Sequence, residues 1–259
     1  MYPQPNRVLQ ALGEDRVSLG SLTLLQEPAI AEILGSLGYD FLIIDTEHAA
    51  ADEQTVLAMV RAAEATGATP LIRVRHAEEK ELLWALDTGA GGVVIPVVET
   101  AEQAARAVDA AKYPPVGHRT LCSAARAAAH GTRRHDFPAY LEWSIANTVV
   151  IGLIESVKGL DNLPDILATG IDVVFPGRAD LSMDMGLGYA PHHPDVMQAA
   201  ESVVKQAVAA GKHAGVLAYS VEDAHRWIDL GARFIVYNQP EMMLSDAYRE
   251  AHQAILGPR

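Results

Sequence analysis

The 259-residue sequence predicts a single-domain (β/α)₈ barrel, the TIM-barrel architecture, over residues 1–259. Eight short apolar segments alternate along the chain with eight longer segments whose apolar residues have helical spacing. The short segments are apolar on both faces, as the strands of a parallel sheet covered by helices are. Eight such units without a linker favour closure into a barrel. The alternative is an open doubly wound sheet, but no Gly-rich phosphate-binding fingerprint follows the first strand.

The predicted strands are runs rich in Val, Ile and Phe, which favour extended structure. They are Val17–Leu24, Phe41–Asp45, Thr69–Val74, Gly92–Pro96, Val149–Glu155, Asp172–Phe175, His213–Leu217 and Phe234–Asn238. The predicted helices lie near Pro28–Leu37, Asp52–Thr66, Glu78–Leu86, Ala101–Ala111, Leu160–Ala168, Asp195–Ala210, Val221–Leu230 and Met242–Leu256. Four glycines stand shortly before strands, and each is predicted to end a helix in the left-handed conformation. They are Gly38, Gly89, Gly170 and Gly231.

One insertion-like segment, from about Lys112 to Asn147, interrupts this order. It contains Pro114-Pro115 and Gly117-His118-Arg119 before a short predicted helix near Tyr140–Ala146. Long insertions in barrels often form lids or subunit contacts. A flexible surface loop is the alternative for its middle portion.

The composition excludes several classes of function. The formal net charge is −13, from 20 Lys and Arg against 33 Asp and Glu, so a protein that coats nucleic acid is not expected. No apolar run approaches the roughly 20 residues of a membrane helix. Cys122 is the single cysteine and cannot form an internal disulfide, and the first residues lack the pattern of a signal peptide. Together these features indicate a cytoplasmic location.

Polar residues stand at the carboxyl ends of four predicted strands, where barrel enzymes carry their chemistry. Asp45 and His48 follow the second strand, Arg73 ends the third, Glu155 ends the fifth and Asp180 follows the sixth. Each one alone has a structural explanation, such as an ion pair inside the barrel. Five at one mouth favour an active site.

Glu155 and Asp180 are the candidate metal ligands, because two carboxylates together with water and substrate oxygens suit Mg²⁺ or Mn²⁺. His48 is the candidate general base, since histidine most often serves this role near neutral pH. Asp45, three residues earlier, is placed to orient or polarise the His48 ring; a histidine that caps the next helix is the alternative. Arg73 is a candidate donor to a developing oxyanion; the alternative is a partner that neutralises Asp45 or Glu47, and the two roles are compatible.

The positions of the lysines bear on which mechanisms are open to this chain. A Schiff-base aldolase needs a lysine at the reacting centre. The chain has five lysines, all outside the apolar strands: Lys80, Lys112, Lys158, Lys205 and Lys212. The only one near the predicted mouth, Lys158, is interpreted as a surface residue at a helix start. In addition, Ala179-Asp180 opens a predicted short helix whose free N–H groups suit a substrate carboxylate.

Four segments of the chain resemble the HpcH/HpaI aldolase family. They are Ile43–Ala49 (IIDTEHA), Leu71–Val74 (LIRV), Ile154–Ser156 (IES) and Phe175–Ser182 (FPGRADLS), and their order and spacing match from about Gly20 to Ile255. The resemblance implies a class II aldolase that cleaves a 4-hydroxy-2-oxo acid reversibly to pyruvate and an aldehyde, through a pyruvate enolate at a divalent metal ion, Mg²⁺, Mn²⁺ or Co²⁺. It also implies a homo-oligomer, a hexamer, whose C-terminal helix is exchanged between subunits.

The resemblance assigns roles to residues of this chain. It implies that His48, paired with Asp45, is the base. It also implies that Arg73 stabilises the enolate and that Glu155 and Asp180 bind the metal. The remaining roles concern binding: backbone N–H groups of Ala179 and Asp180 for the carboxylate of pyruvate, Leu217 for the aldehyde pocket, and Asp87 for a contribution from the neighbouring subunit.

The chain departs from the family pattern at three places. Leu153 replaces a common Gln two residues before the metal-binding Glu, Arg178 replaces a usual Pro, and residues 117–122 differ from the usual glycine-rich loop. Arg178 is predicted to add a cation that favours acidic aldehydes; a solvent-facing arginine is the alternative. The same enolate chemistry leaves an oxaloacetate decarboxylase as the second function, and a non-catalytic scaffold barrel as the third.

Overall fold

A computed structural model of the protein describes residues 4–132 and 134–257. Its strands pair in parallel with their chain neighbours and β1 pairs with β8, so the sheet closes and the predicted (β/α)₈ barrel is confirmed. The strands are β1 (Ser18–Thr23), β2 (Phe41–Asp45), β3 (Thr69–Arg73), β4 (Gly92–Ile95), β5 (Val149–Ile154), β6 (Val173–Pro176), β7 (His213–Ala218) and β8 (Phe234–Tyr237). The α-helices are α1 (Arg7–Gly13), α2 (Pro28–Ser36), α3 (Glu53–Thr66), α4 (Glu79–Asp87), α5 (Ala101–Ala111), α6 (Phe137–Asn147), α7 (Val157–Asp161), α8 (Leu163–Leu167), α9 (Arg178–Asp184), α10 (Pro194–Ala209), α11 (Val221–Asp229) and α12 (Pro240–Leu256).

Alternate residues of each strand face the interior of the barrel, because successive side chains of a strand point to opposite sides. Ile43 of β2 belongs to the interior apolar cluster, whereas Ile44 packs among the outer residues that the helices cover. Asp45 continues the interior row of β2, and Arg73 and Glu155 continue those of β3 and β5 in the same way. The alternation therefore brings these three polar side chains to the carboxyl ends of the strands.

Helix α1 was not predicted, and it closes the end of the barrel opposite the mouth. Val8 and Leu12 on this helix belong to the interior cluster. Asn6 caps α1, and its side-chain amide donates to the carbonyls of Gly91 and Asn147, both at 2.8 Å, just before β4 and β5 begin. The helix is short and follows two prolines, so its periodic signal is weak, and only contact with the open end of the barrel gives its apolar face a partner.

The left-handed glycine was predicted correctly at three of four positions. Gly38, Gly89 and Gly231 have φ angles of +89°, +95° and +102°. Gly170 is not among the glycines with positive φ, because α8 ends at Leu167 and the chain has already left the helix when it reaches this glycine. The single helix predicted near 160–168 is in fact two short helices, α7 and α8.

The segment between α5 and α6 is anchored to α3 and α4 by two arginines. Arg126 forms an ion pair with Glu64 and donates to the carbonyl of Thr88. Arg119, which is almost fully buried, pairs with Asp87 at 2.7 Å. These contacts hold the segment at two points in its first half, and its role as a lid or subunit contact stays a prediction.

Every residue of α12 is at least partly exposed, including its apolar residues. Met243 and Ile255, for example, are 48% and 78% exposed. In the described part of the chain, no helix combines the length and apolarity that a membrane crossing requires.

Candidate active site at the barrel mouth

A cavity of about 220 Å³ opens at the carboxyl ends of the strands. That volume is several times the roughly 30 Å³ that a water molecule occupies in the liquid, so a small organic acid fits. Six of the predicted site residues line it: Arg73, Glu155, Arg178, Ala179, Asp180 and Leu217. The cavity therefore joins the ends of β3, β5, β6 and β7. Of the four strands predicted to form the mouth, β2 lines it through Ile43, and among the described residues Asp45 and His48 do not line it.

Arg73 and Asp45 form a two-pronged ion pair at the edge of this cavity. Nε and Nη2 of Arg73 donate to the two carboxylate oxygens of Asp45 at 2.9 and 2.6 Å. Asp45 is fully buried, and the two residues are directly paired in the β2–β3 register. The third nitrogen of Arg73, Nη1, lies 3.3 Å from Oε2 of Glu47. The guanidinium is thus fixed in orientation while one edge still borders the cavity.

His48 interacts with Glu47 and not, through its ring, with Asp45. The ring Nε2 lies 3.8 Å from Oε2 of Glu47, and the His48 side chain is 60% exposed in the single chain. The carboxylate of Asp45 instead pairs with Arg73 and accepts the backbone N–H of Glu47 at 2.9 Å. The interpretation that Asp45 polarises the His48 ring is therefore corrected: Asp45 fixes Arg73 and the backbone that carries His48.

Glu155 is a buried carboxylate held by a backbone donor. Its Oε1 accepts the N–H of Val97 at 2.7 Å, and the residue is 7% exposed. A Cβ at position 177 would lie 2.4 Å from Oε2, so Gly177 is required for the loop after β6 to pass this close. Burial, together with the charges of Asp180 and Glu47, raises the pKa of Glu155 to about 7, although the hydrogen bond from Val97 and the charge of Arg73 oppose the increase.

The donors around Glu155 fit a divalent cation that prefers oxygen ligands. Burial, together with the neighbouring carboxylates Asp45 and Asp180, also raises the pKa of Glu47, although the charges of Arg73 and His48 oppose this. A cluster of acidic groups with raised pKa values has an excess of negative charge that Mg²⁺ or Mn²⁺ would neutralise. Within residues 4–132 and 134–257, no group of three or more His, Cys, Asp and Glu has metal-ligand geometry. Glu155 and Asp180 would therefore hold the ion with oxygens of water and substrate as the remaining ligands.

Helix α9 begins at the cavity wall. Ala179 and Asp180 lie in its first turn, where backbone N–H groups have no partner within the helix. The N-cap residue is Gly177, which has no side chain to accept a hydrogen bond from these N–H groups. The N–H groups are therefore free to bind an anionic ligand. This placement agrees with the predicted role in carboxylate binding, which stays a prediction.

The charge of Arg178 is satisfied by partners within the chain. Its guanidinium is buried and pairs with Asp223 at 2.8 Å, and it also donates to the carbonyl of Leu217 at 2.6 Å. Neither the predicted cation for an acidic aldehyde nor its alternative, a solvent-facing arginine, agrees with this geometry. The physical reason is that a carboxylate on α11 satisfies the guanidinium before any substrate arrives.

Asp87 lies far from the mouth of its own barrel. It is the last residue of α4, and helices of a barrel run antiparallel to the strands, so the carboxyl end of α4 lies at the opposite face. Its partner there is Arg119. Within one chain the structure does not bring Asp87 to the other site residues, and its contribution to the site of a neighbouring subunit stays a prediction.

The sequence reasoning considered Glu47 only as a partner of Arg73, and it did not assign three residues that line the cavity. The three are Tyr189, Tyr219 and Gln239, which supply hydroxyl and amide groups. Glu47 and Tyr219 had a usable signal, because each stands two positions after a predicted site residue, on the same side of the chain. Tyr189 and Gln239 had none, since each belongs to a segment whose path is set by tertiary packing.

Comparisons with known proteins give one consistent result. The model of the HpcH/HpaI aldolase/citrate lyase family matches residues 21–239. A 5-keto-4-deoxy-D-glucarate aldolase of Salmonella arizonae is 37% identical over 255 residues, which are 95% of this chain and 98% of the relative. The crystal structure of an HpcH/HpaI aldolase/citrate lyase family protein from Burkholderia cenocepacia has a TM-score of 0.90 at 34% identity and covers 96% of this chain and 99% of its own. The structure named citrate synthase SbnG has a TM-score of 0.84 at 26% identity, with 95% of each chain covered.

Proposed function

This chain belongs to the HpcH/HpaI aldolase/citrate lyase family and is a lyase, and from that premise we propose that it cleaves a 4-hydroxy-2-oxo acid reversibly to pyruvate and an aldehyde. The observation that carries the proposal is the meeting of Arg73, Glu155 and Asp180 in one cavity at the barrel mouth. A fixed cation beside two carboxylates suits the binding of a 2-oxo acid whose oxygens gain negative charge during the reaction.

The chain's own residues act on different parts of such a substrate. The first-turn N–H groups of Ala179 and Asp180 bind its carboxylate, and Arg73, held by Asp45, stabilises the charge that develops on the keto oxygen. A divalent ion held by Glu155 and Asp180 supplies Lewis acidity when bound. His48 removes the proton of the 4-hydroxyl group, directly or through a water, so that the C3–C4 bond breaks and the pair of electrons is left on pyruvate as its enolate.

The first substrate to test is 5-keto-4-deoxy-D-glucarate, which the Salmonella relative is named for. Its cleavage gives pyruvate and a three-carbon aldehyde that carries a hydroxyl and a carboxylate. Tyr189, Tyr219 and Gln239 also line the cavity, and in this proposal they contact such an aldehyde. Pyruvate release, coupled to lactate dehydrogenase, is the assay, and a protein that releases none from any 4-hydroxy-2-oxo acid would contradict the proposal.

Replacement of His48 should separate aldol cleavage from decarboxylation. We expect His48→Ala to lower kcat for aldol cleavage by about a hundredfold, in the lower part of the range for a general base, because water reaches this exposed position. Oxaloacetate decarboxylation should fall much less, since the loss of CO₂ needs no proton from a 4-hydroxyl group. His76→Ala, at another exposed histidine in the loop after β3, is the control and should leave both reactions unchanged. An equal loss in both reactions would mean that His48 is structural.

We further propose that the active unit is an oligomer, a hexamer in which α12 is exchanged and Asp87 reaches a neighbour's mouth. Two features support this: the exposed apolar residues of α12, which an amphipathic helix normally buries, and the position of Asp87 at the face opposite its own site. A cytoplasmic location, expected from the sequence, stays a prediction.

Mixing two inactive variants tests the shared site. Glu155→Ala and Asp87→Ala subunits, refolded together in equal amounts, should regain about one quarter of the wild-type activity, because a site between two neighbours is intact in that fraction of random pairings. Each variant refolded alone is the control and should stay inactive. Full activity in a wild-type monomer isolated by size-exclusion chromatography would contradict the shared site.

A further inference from the structure

Arg178 makes a dense set of contacts for a residue that has no assigned partner in the substrate. Its side chain is 3% exposed, and its guanidinium contacts groups from three elements: Asp223 of α11, the carbonyl of Leu217 at the end of β7, and Sδ of Met197 on α10, the last at 3.1 Å. Two aromatic rings flank it, with centroids 5.0 Å away for Tyr219 and 5.3 Å for Trp227. A buried cation is retained only where its partners satisfy it, and here they do.

Asp223 connects this arginine to the cavity wall. Besides Arg178, its carboxylate accepts the indole N–H of Trp227 at 2.7 Å and the backbone N–H of Tyr219 at 3.2 Å. The carboxylate thereby fixes the turn between β7 and α11, the turn that carries Tyr219. If the arginine is lost, Asp223 keeps only neutral donors and the turn loses its tie to α9.

The two ends of this network lie on different walls of the cavity. Arg178 is the first residue of α9, whose next two residues form the wall proposed for pyruvate. Leu217 and Tyr219 line the cavity at the end of β7, four strands around the barrel from Arg73 on β3, and belong to the segment that the network holds. A shift of this segment changes the space for the aldehyde while Arg73, paired with Asp45 on β2 and β3, keeps its place.

We propose that Arg178 is a positioning residue whose ion pair with Asp223 holds Leu217 and Tyr219 at the distance from α9 that sets the aldehyde side of the cavity. The inference rests on the proposed aldolase function and deepens it. In this proposal Arg178 influences which aldehyde is accepted because it sets the position of Leu217 and Tyr219, and not because its guanidinium charge attracts the aldehyde.

Two reactions of the Mg²⁺-loaded enzyme separate the two sides of the cavity. Exchange of the methyl protons of pyruvate with D₂O, followed by NMR, reports the pyruvate side and needs no aldehyde. The kcat/KM for an aldehyde added to pyruvate, measured with glyoxylate and with succinic semialdehyde, reports the other side. Arg178→Met should lower the aldehyde kcat/KM by about tenfold to a hundredfold, the cost of misplacing a reactant by a fraction of an ångström to about 1 Å, and leave exchange within about twofold of wild type.

Two further variants and a control complete the test. Arg178→Lys, which keeps the charge but has one donor group in place of the fork, should restore part of the aldehyde kcat/KM, and Asp223→Asn should lower it as Arg178→Met does. The control is Arg226→Met, because Arg226 contacts Trp227 from the exposed side and pairs with Glu201; both reactions should stay unchanged.

The ratio of the two reactions decides the outcome in whichever variants fold. A wild-type ratio in all of them, with both reactions unchanged or both lowered together, would overturn the positioning role while the aldolase function stands. A wild-type enzyme that neither exchanges pyruvate protons nor forms aldol product would overturn both the proposed function and this inference.

Discussion

Removal of divalent metal ions is expected to abolish pyruvate release, and Mg²⁺, Mn²⁺ or Co²⁺ should restore it. The buried Glu155 and the neighbouring Asp180 form an oxygen-only donor pair at the cavity. Metal Lewis acidity is worth several kcal/mol of transition-state stabilisation, and each 1.36 kcal/mol is a factor of ten, so a loss of roughly 10⁴ in kcat is expected. The measurement is pyruvate release after dialysis against EDTA and after each metal is added back.

Replacement of the donors should reproduce the effect of chelation. Glu155→Gln and Asp180→Asn keep the size of each side chain but remove its charge, so both should lose activity and bind Mn²⁺ weakly, as followed by electron paramagnetic resonance. Asp184→Asn is the matched control, since Asp184 lies one turn further along α9, is exposed and accepts the N–H of Val157. A variant of either donor that keeps full activity at low metal concentration would exclude that residue as a ligand.

Trapping with borohydride distinguishes this metal-dependent mechanism from one that uses a Schiff base. Among the described residues that line the cavity, none is a lysine. Lys158 pairs with Glu99 at 3.0 Å, and Lys112 is buried with its ammonium group against the carbonyls of Ile145 and Thr148. Borohydride with pyruvate should therefore trap nothing. A covalent adduct at Lys158 that forms in the presence of EDTA would reverse the assignment.

Replacement of Arg73 should damage both catalysis and stability. Arg73→Met removes a fixed donor to the developing oxyanion, which is worth about 10²–10³ in kcat. It also leaves the fully buried carboxylate of Asp45 without its cation, and breaking a buried pair in this way costs about 3–5 kcal/mol in the free energy of unfolding. Kinetics and urea unfolding measure the two effects.

A double variant separates the two roles of Arg73. Arg73→Met with Asp45→Asn removes both charges, and the amide oxygen still accepts the N–H of Glu47, so most of the lost stability should return while the activity does not. Arg75→Met, two positions further along and largely at the surface, is the control for a general effect on this loop. Recovery of activity together with stability in the double variant would show that Arg73 is only a structural partner.

The local pattern of the sequence was sufficient to predict the barrel and the polar residues that end its interior rows at the mouth. The period of two along each strand and the helical spacing between strands are properties of neighbouring residues. Once Ile43 is assigned to the interior, Asp45 must continue the same row, and the same reasoning applies to Arg73 and Glu155. The positions of Glu155 and Arg73 at one cavity therefore follow from strand order and parity, whereas Asp180 lies on α9 and its place follows from the order of the elements only.

Tertiary structure alone decided which partner each polar side chain meets. Arg178 and Asp223 are 45 positions apart, and their contact depends on how β6, β7 and α11 pack. A long arginine side chain is able to reach several different partners, and no local pattern selects among them; the position of the partly buried carboxylate of Asp223 does. The same holds for the ring of His48, which contacts Glu47 because the carboxylate of Asp45 is already paired with Arg73. It also holds for α1, whose apolar face packs against the open end of the barrel that this helix closes.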